Sequence, residues 1–374
     1  MKTIIITGGG SGGHLAPARA VIPFLKKKYQ LVWVGSSHFE RDAAKALEVS
    51  FFKIFSGKMR RGKNFKNFLR NLRDFFLVFL AFFQSLFFLI KKRPEKIFST
   101  GGFVSVPVVL AAAFLRIPII IHEQTIGFGL ANKIAVPFAK KVLLAFEDSK
   151  KYIPKKYHHK VEVVGNPIRT ELLHGTRNRL EQFLGRSLGE RPVLYITGGG
   201  QGSRLINETI FALLPKLMKK YLVIHQCGEN GIAKAKEIYA SIRANTSTDK
   251  VTLDYFPFAF VGDELADIYA SASVVVARAG AGTVNELAFF DIPSIFIPLR
   301  PTQNDEQTKN AEWFLRNHRG KIIEQEALNE EILLDALKTL EREVKEEKKK
   351  REKEKVRKAS LSAPSTQKLL QFLD

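Results

Sequence analysis

The sequence predicts an α/β protein built from two doubly wound domains, each around a parallel sheet. Short apolar runs alternate with helix-length segments along the whole chain. The line ITGGGSGG at 6–13 returns almost unchanged as ITGGGQGS at 196–203. A chain of 374 residues with 45% hydrophobic content is long for one core and ample for two. The copies of the glycine line stand 190 residues apart, near the halfway point. Each therefore marks the first strand-to-helix turn of one domain.

The predicted strands of the first half are 3–6, 31–35, 96–99, 118–121, 142–145 and 161–164. Those of the second are 193–197, 221–226, 251–253, 273–277, 293–297 and 321–323. Runs of this length and spacing, with helices between them, are βα units of parallel sheets. VGNPIR at 164–169 breaks the pattern with Asn-Pro just after a strand, where a linker starts. The expected domains are 1–165 and 166–343. Residues 344–374 form a charged extension, since 344–358 carries thirteen charged residues in fifteen and no apolar stripe.

A formal charge of +22 calls for an anionic partner or surface. No zinc-finger spacing, RNA-binding aromatic signature or recognition-helix pattern accompanies it, so nucleic acid is not the expected partner. The charge is also uneven. Lys58, Arg60, Arg61, Lys63, Lys66, Arg70 and Arg73 have no acid among them, and the aromatic block FFLVFLAFFQSLFFLI follows at 75–90. Sixteen residues interrupted by Gln84 and Ser85 fall short of the ~20 that a spanning helix needs. Phe65, Phe68, Leu69, Leu72, Phe76 and Phe79 recur at helical spacing opposite most of the cations, which predicts a basic-edged dock on an anionic membrane surface. Residues 80–90, apolar nearly all round, are expected to be a core helix. The lone Cys227 excludes an internal disulfide, and Lys2 runs straight into a strand with no leader pattern, so the expected compartment is the cytoplasm.

Glycines between a strand and a helix let backbone N–H groups and the helix N-terminus meet a phosphate. Gly8, Gly10 and Gly13 satisfy the dinucleotide spacing, but the second strand ends in Gly35-Ser36-Ser37 without the acid a nicotinamide or flavin ribose wants. Neither copy is followed by the Gly-Lys-Ser/Thr of a P-loop. A third glycine turn, STGGFVSVP at 99–107, adds to the case for a phosphate-rich ligand.

The ordered set GGGSGGH (8–14), STGGFVSVP (99–107), IHEQ (121–124), VGNPIR (164–169), GGGQGS (198–203), RAGAGTVNEL (278–287) and QTKNA (307–311) closely resembles the MurG family. The resemblance runs from about residue 3 to about 325 and leaves the charged tail uncovered. It implies two Rossmann-like domains facing a cleft, the GT-B arrangement. It also implies inverting transfer of N-acetylglucosamine from UDP-N-acetylglucosamine to lipid I, the undecaprenyl-pyrophosphoryl-muramyl-pentapeptide, giving lipid II for peptidoglycan. No metal or other cofactor is implied. The place of action is the cytoplasmic face of the cell membrane, and the repeated glycine line then serves two diphosphates, one per domain.

Carried over residue by residue, the resemblance puts the acceptor beside Gly10, Gly101, Gly102 and Asn132. The donor falls to Ser11, Gly12, Gly13, Thr125, Arg169, Gly200, Ala281, Gly282, Thr283, Glu286 and Gln307. Glu286 is expected to begin a helix facing the leaving diphosphate and to grip the ribose hydroxyls, a task suited to two acceptor oxygens. His14 and Glu123 are the candidates for the base that takes the muramyl 4-hydroxyl proton. An imidazole titrates near neutrality, whereas Glu123 has the alternative of orienting loops by hydrogen bonding. Thr125 stands where the family commonly has Asn, and Gly200 where it has Ser. A diacylglycerol-type lipid glycosyltransferase and a non-catalytic nucleotide-sugar-binding subunit are the competing functions; HEQ with VGNPIR argues against the first, and His14, Glu286 and Gln307 against the second.

Overall fold

A computed structural model describes residues 1–9, 12–57, 65–245, 254–301, 305–353 and 364–374, with the side chains of Gly12, 65–72, 347–353 and Pro364 left aside. The chain divides into two compact units, Met1–Arg169 with Ser362–Asp374, and Thr170–Leu361.

The first unit runs β1 (Thr3–Thr7), α1 (Gly12–Leu25), β2 (Gln30–Gly35), α2 (His38–Ala46), β3 (Ser50–Lys53), α3 (Phe65–Lys92), β4 (Lys96–Ser99), α4 (Ser105–Phe114), β5 (Ile119–Glu123), α5 (Leu130–Ala135), β6 (Lys141–Leu144) and β7 (Val161–Val163). Its seven strands lie in the order β3-β2-β1-β4-β5-β6-β7, and every pairing is parallel. Ile4, Ile5 and Ile6 are fully buried because helices cover both faces of such a sheet, which is why β1 is an unbroken β-branched run. β3 is an addition to the expected strands: as an edge strand, half-exposed and ending in Lys53, SFFK carries little apolar signal.

The second unit holds α6 (Arg177–Leu184), β8 (Val193–Thr197), α7 (Arg204–Leu217), β9 (Leu222–Gln226), α8 (Glu229–Asn245), β10 (Tyr255–Phe258), α9 (Leu265–Ser271), β11 (Ala272–Ala277), α10 (Ala281–Phe289), β12 (Ser294–Phe296), α11 (Glu306–Asn317), β13 (Gly320–Ile322) and α12 (Glu330–Lys353). Its strand order is β10-β9-β8-β11-β12-β13, again all parallel. The strand expected at 251–253 lies outside the described residues; the strand present is Tyr255–Phe258.

Two further differences from expectation have physical causes. Over 80–90, α3 is a core helix on one face only. There Ala81, Ser85 and Leu89 are buried, at the helical i, i+4, i+8 spacing, with Phe82, Leu86 and Phe88 partly buried beside them, while Phe75, Phe76, Phe79, Phe83, Phe87 and Ile90 are exposed. The tail is not uniformly charged either. The helix Pro364–Leu373 belongs to the first unit, where Leu369 and Leu373 are fully buried against the β1 and β2 side of the core. Thr366 donates to the Ile168 carbonyl at 3.1 Å, and Lys96 donates to the Leu373 carbonyl at 2.9 Å.

Candidate active site

In an open parallel sheet, ligands bind beyond the carboxyl ends of the strands where the strand order reverses. The first sheet reverses between β1 and β4, and the second between β8 and β11. Each reversal is flanked by glycine-bearing segments: Gly8 and Gly9 with Gly101 and Gly102 in the first unit, 198–202 and 280–282 in the second. The repeated line of the sequence thus falls on both switch points.

At the first switch point the two turns touch. Gly9 donates to the Gly101 carbonyl at 3.2 Å, and a Cβ on Gly102 would stand 2.1 Å from the Gly9 oxygen. Gly101 and Gly102 have φ of +88° and +85°, a region that L side chains avoid. Beneath them the Glu40 carboxylate accepts from the Ser36 and Ser37 amides at 2.6 and 2.8 Å, closing a capping box at the start of α2. That Oε2 is engaged by the backbone at the end of β2, the place where a dinucleotide fold would present an acid to a ribose.

His14 stands in the first turn of α1, with Nδ1 3.0 Å from the Thr100 carbonyl and against the Gln124 amide. Burial lowers its pKa, opposed by Glu123, the Thr100 carbonyl and Glu40. Glu123 ends β5, 1% exposed. Its Oε1 accepts from the Thr125 amide and hydroxyl at 3.1 and 2.8 Å, and its Oε2 from Gly129 N and Asn132 Nδ2 at 2.7 and 3.0 Å. Both oxygens hold the 125–132 segment. Asn132 packs its amide over Gly101 and donates as well to the His122 carbonyl at 3.1 Å. Thr7 Oγ1, Thr100 Oγ1, His122 Nδ1, Gln124 Oε1, Asn132 Oδ1 and Asn166 Oδ1 are buried without a hydrogen-bond partner among the described residues. Unmet polar atoms gathered on β1, β4 and β5 ends and their loops are what a polar ligand or water would satisfy. Gly12 and Gly13 open α1; Gly10 and Ser11 lie outside the described residues.

The second switch point is open among the described residues. A Cβ on Gly199, Gly200, Gly280 or Gly282 would meet none of their atoms within 4 Å. α10 starts at Ala281 because the Gly280 carbonyl already accepts from Val284 N at 2.9 Å, so Ala281, Gly282 and Thr283 form its first turn. Glu286 therefore does not begin the helix, as the sequence suggested, but sits in its second turn. There its Oε2 accepts from the Tyr269 hydroxyl at 3.0 Å. Gln307 Oε1 accepts from Leu299 N at 2.9 Å, and Arg169 is half-buried at the end of the first unit.

Four supporting residues escaped the sequence. Arg278 donates to the Ile297 and Pro298 carbonyls at 3.0 and 3.2 Å and to Ser203 Oγ at 2.9 Å, tying the two turns together. Gln226 donates to the Gly199 carbonyl at 2.9 Å and accepts from Val261 N at 3.2 Å. Tyr269 and Gln124 are the others. Arg278 and Gln124 stand inside motifs already singled out; Tyr269 has no local signal at all. Among the described residues no group of three or more His, Cys, Asp or Glu side chains is placed to hold a metal ion.

Residues 4–144 match the glycosyltransferase family 28 N-terminal domain, and 193–363 match the glycosyltransferase family 28 C-terminal domain. A Clostridium kluyveri protein named UDP-N-acetylglucosamine--N-acetylmuramyl-(pentapeptide) pyrophosphoryl-undecaprenol N-acetylglucosamine transferase is 38% identical over 350 residues, 91% of this chain and 92% of its own. The chain belongs to the MurG family. A Bacillus cereus relative carrying the same enzyme name, numbered 2, is 36% identical over 89% of this chain and 90% of its own. Among solved structures, MurG of Acinetobacter baumannii superposes with a TM-score of 0.67 at 26% identity, covering 91% of this chain and 90% of that one. A kitacinnamycin glycosyltransferase, at TM-score 0.65 and 14% identity over 91% and 90% of the two chains, shares the fold. The family's two-domain α/β glycosyltransferase architecture is thus the one seen here.

Proposed function

We propose that the chain transfers N-acetylglucosamine from UDP-N-acetylglucosamine to the muramyl 4-hydroxyl of lipid I, yielding lipid II with inversion at the anomeric carbon. The observation that carries this is the pair of glycine-flanked switch points in a chain 36–38% identical to transferases of that name. The first unit takes the acceptor, with Gly10, Gly101, Gly102 and Asn132 beside its pyrophosphate and sugar. The second takes the donor, with the first turn of α10 on the diphosphate, Glu286 on the ribose and Gln307 on the sugar. Thr125 and Arg169 complete the donor contacts.

His14 Nε2 removes the 4-hydroxyl proton as that oxygen bonds to the anomeric carbon. The bond from that carbon to the β-phosphate oxygen breaks, and UDP departs with the electron pair. Helix N–H donors and cationic side chains stabilise the charge that develops on it. Glu123, whose four contacts are all within the protein, orients the 125–132 segment rather than moving a proton. Incubating the purified protein with radiolabelled UDP-N-acetylglucosamine and a lipid I analogue should give labelled disaccharide lipid. Glu286→Ala should raise the donor KM roughly tenfold or more, since a charge-assisted hydrogen bond contributes about 1.5–3 kcal/mol. No product from the wild type, or an unchanged KM in the variant, contradicts the reading.

The same reading places the protein on the cytoplasmic face of the membrane as a peripheral enzyme. Arg73–Lys92 is long and apolar enough to cross a membrane by length and composition, and 28% of its apolar window is buried. The buried stripe packs on α4 and the exposed one is aromatic, which suits a helix lying in the interface against anionic lipids, edged by Arg73, Lys91, Lys92 and Arg93. The basic residues 58–63 and the side chains of 65–72 lie outside the described residues. Replacing Phe76, Phe79 and Phe83 by Ser removes side chains that contribute about 1.5–3 kcal/mol each when fully buried. Sedimentation with phosphatidylglycerol vesicles should weaken at least tenfold, and turnover of a short-chain soluble acceptor should persist. Unchanged sedimentation excludes this face as the dock.

A further inference from the structure

His14 can act as a base only through Nε2, because Nδ1 faces the protein. Which nitrogen carries hydrogen is therefore decisive, and two backbone carbonyls decide it. A carbonyl oxygen only accepts, so the Thr100 oxygen 3.0 Å from His14 Nδ1 requires hydrogen on Nδ1 and a lone pair on Nε2. The Gly165 oxygen 3.1 Å from His122 Nε2 likewise requires hydrogen on that nitrogen, which leaves His122 Nδ1 as an acceptor.

Between these rings lies Gln124, 2% exposed, with its amide against His14 Nδ1 and also beside His122. The two ends of an amide have the same shape, and only one orientation fits both carbonyls. With Nε2 toward His14, two hydrogens face each other, and Gln124 Oε1 and His122 Nδ1 are left buried without partners. With Oε1 toward His14, Oε1 accepts from Nδ1–H.

We infer that Gln124 is a positioning residue that, together with the Thr100 carbonyl, holds His14 in its Nδ1–H tautomer by accepting from Nδ1–H through Oε1. Its effect is to hold the lone pair on Nε2. Asn166 supports it by donating to the Gln124 backbone carbonyl at 3.0 Å. The charged groups acting on His14 are Glu123 from β5 and Glu40 from α2, and both favour its protonated form. The inference rests on His14 being the base for its catalytic consequence but not for the tautomer itself.

Two measurements separate those parts. Nitrogen-15 correlation spectra of the histidine-labelled wild type, above pH 7, should show His14 with hydrogen on Nδ1 and a bare Nε2. Hydrogen on Nε2 overturns the inference whatever the activity. The second compares Gln124→Glu with Gln124→Leu in pH profiles of kcat, with UDP binding as the check of folding. A carboxylate at 124 still accepts from Nδ1–H and adds negative charge, so the acid limb should move up by about one unit or more with plateau kcat within tenfold. Leu at 124 removes one of the two acceptors at Nδ1–H and loosens the ring, so kcat should fall at least tenfold with the donor KM unchanged. An acid limb that stays in place in Gln124→Glu overturns the positioning role. His14→Ala with full kcat would instead remove the base assignment and leave the tautomer result standing.

Discussion

The two glycine turns are nearly the same in sequence and answer different demands. In the first unit Gly8, Gly9 and Gly102 are required by the chain itself. A Cβ on Gly8 would stand 1.9 Å from Thr100 Oγ1, one on Gly9 1.9 Å from Glu40 Oε1, and one on Gly102 2.1 Å from the Gly9 oxygen. In the second unit Gly198 and Gly202 are similarly confined, but Gly200, Gly280 and Gly282 border open space and have no left-handed φ. Among the described residues, nothing asks for glycine at those three positions. On the proposed function, the close approach of the donor diphosphate to the backbone does. One sequence pattern then reports packing in one place and, on that proposal, binding in the other.

The largest effect expected from this contrast is on stability. Gly102→Ala combines a left-handed backbone, about 1–2 kcal/mol, with overpacking of about 1–3 kcal/mol. Urea unfolding should therefore show a loss of roughly 2–5 kcal/mol, while Gly200→Ala in the same experiment stays within about 0.5 kcal/mol. Equal losses would erase the distinction.

A second test uses the histidines buried at matching strand ends. Burial holds His122 at about 4 and His225 at about 3. Both are neutral in the fold and titrate near 6.5 when unfolded. Their stabilisation is complete above about pH 6.5 and is lost as pH falls from there toward their folded values, by up to ~1.4 kcal/mol per pH unit for each. His225 belongs to the second unit, where Tyr255 and Asn207 hold it. His225→Gln should flatten the slope of stability between pH 6 and 4 by about one proton and leave the acid limb of kcat in place. A shifted limb would mean that the second unit also tunes the base.

Much of the fold was legible because buried parallel strands are written as Ile and Val runs, as in β1 and β11. What escaped was governed by partners far along the chain. SFFK is a strand only because β2 lends it an edge, and the Pro364–Leu373 helix folds onto strands more than 300 residues earlier. The site divides the same way. Glycine turns announce themselves, since few other residues adopt their backbone. Tyr269 and Gln226 act through Glu286 and Gly199, 17 and 27 residues away, and no local pattern encodes such contacts.

The claim that the second turn is shaped by its ligand meets its most direct test in Gly282→Ala. The added methyl meets no atom of the described residues within 4 Å and sits in the first turn of α10. Ala suits a helix better than Gly by up to about 1 kcal/mol, so the thermal midpoint should hold or rise slightly. UDP affinity, measured by calorimetry on the same sample, should fall at least tenfold, about 1.4 kcal/mol. Wild-type affinity for UDP in this stable variant would contradict the account.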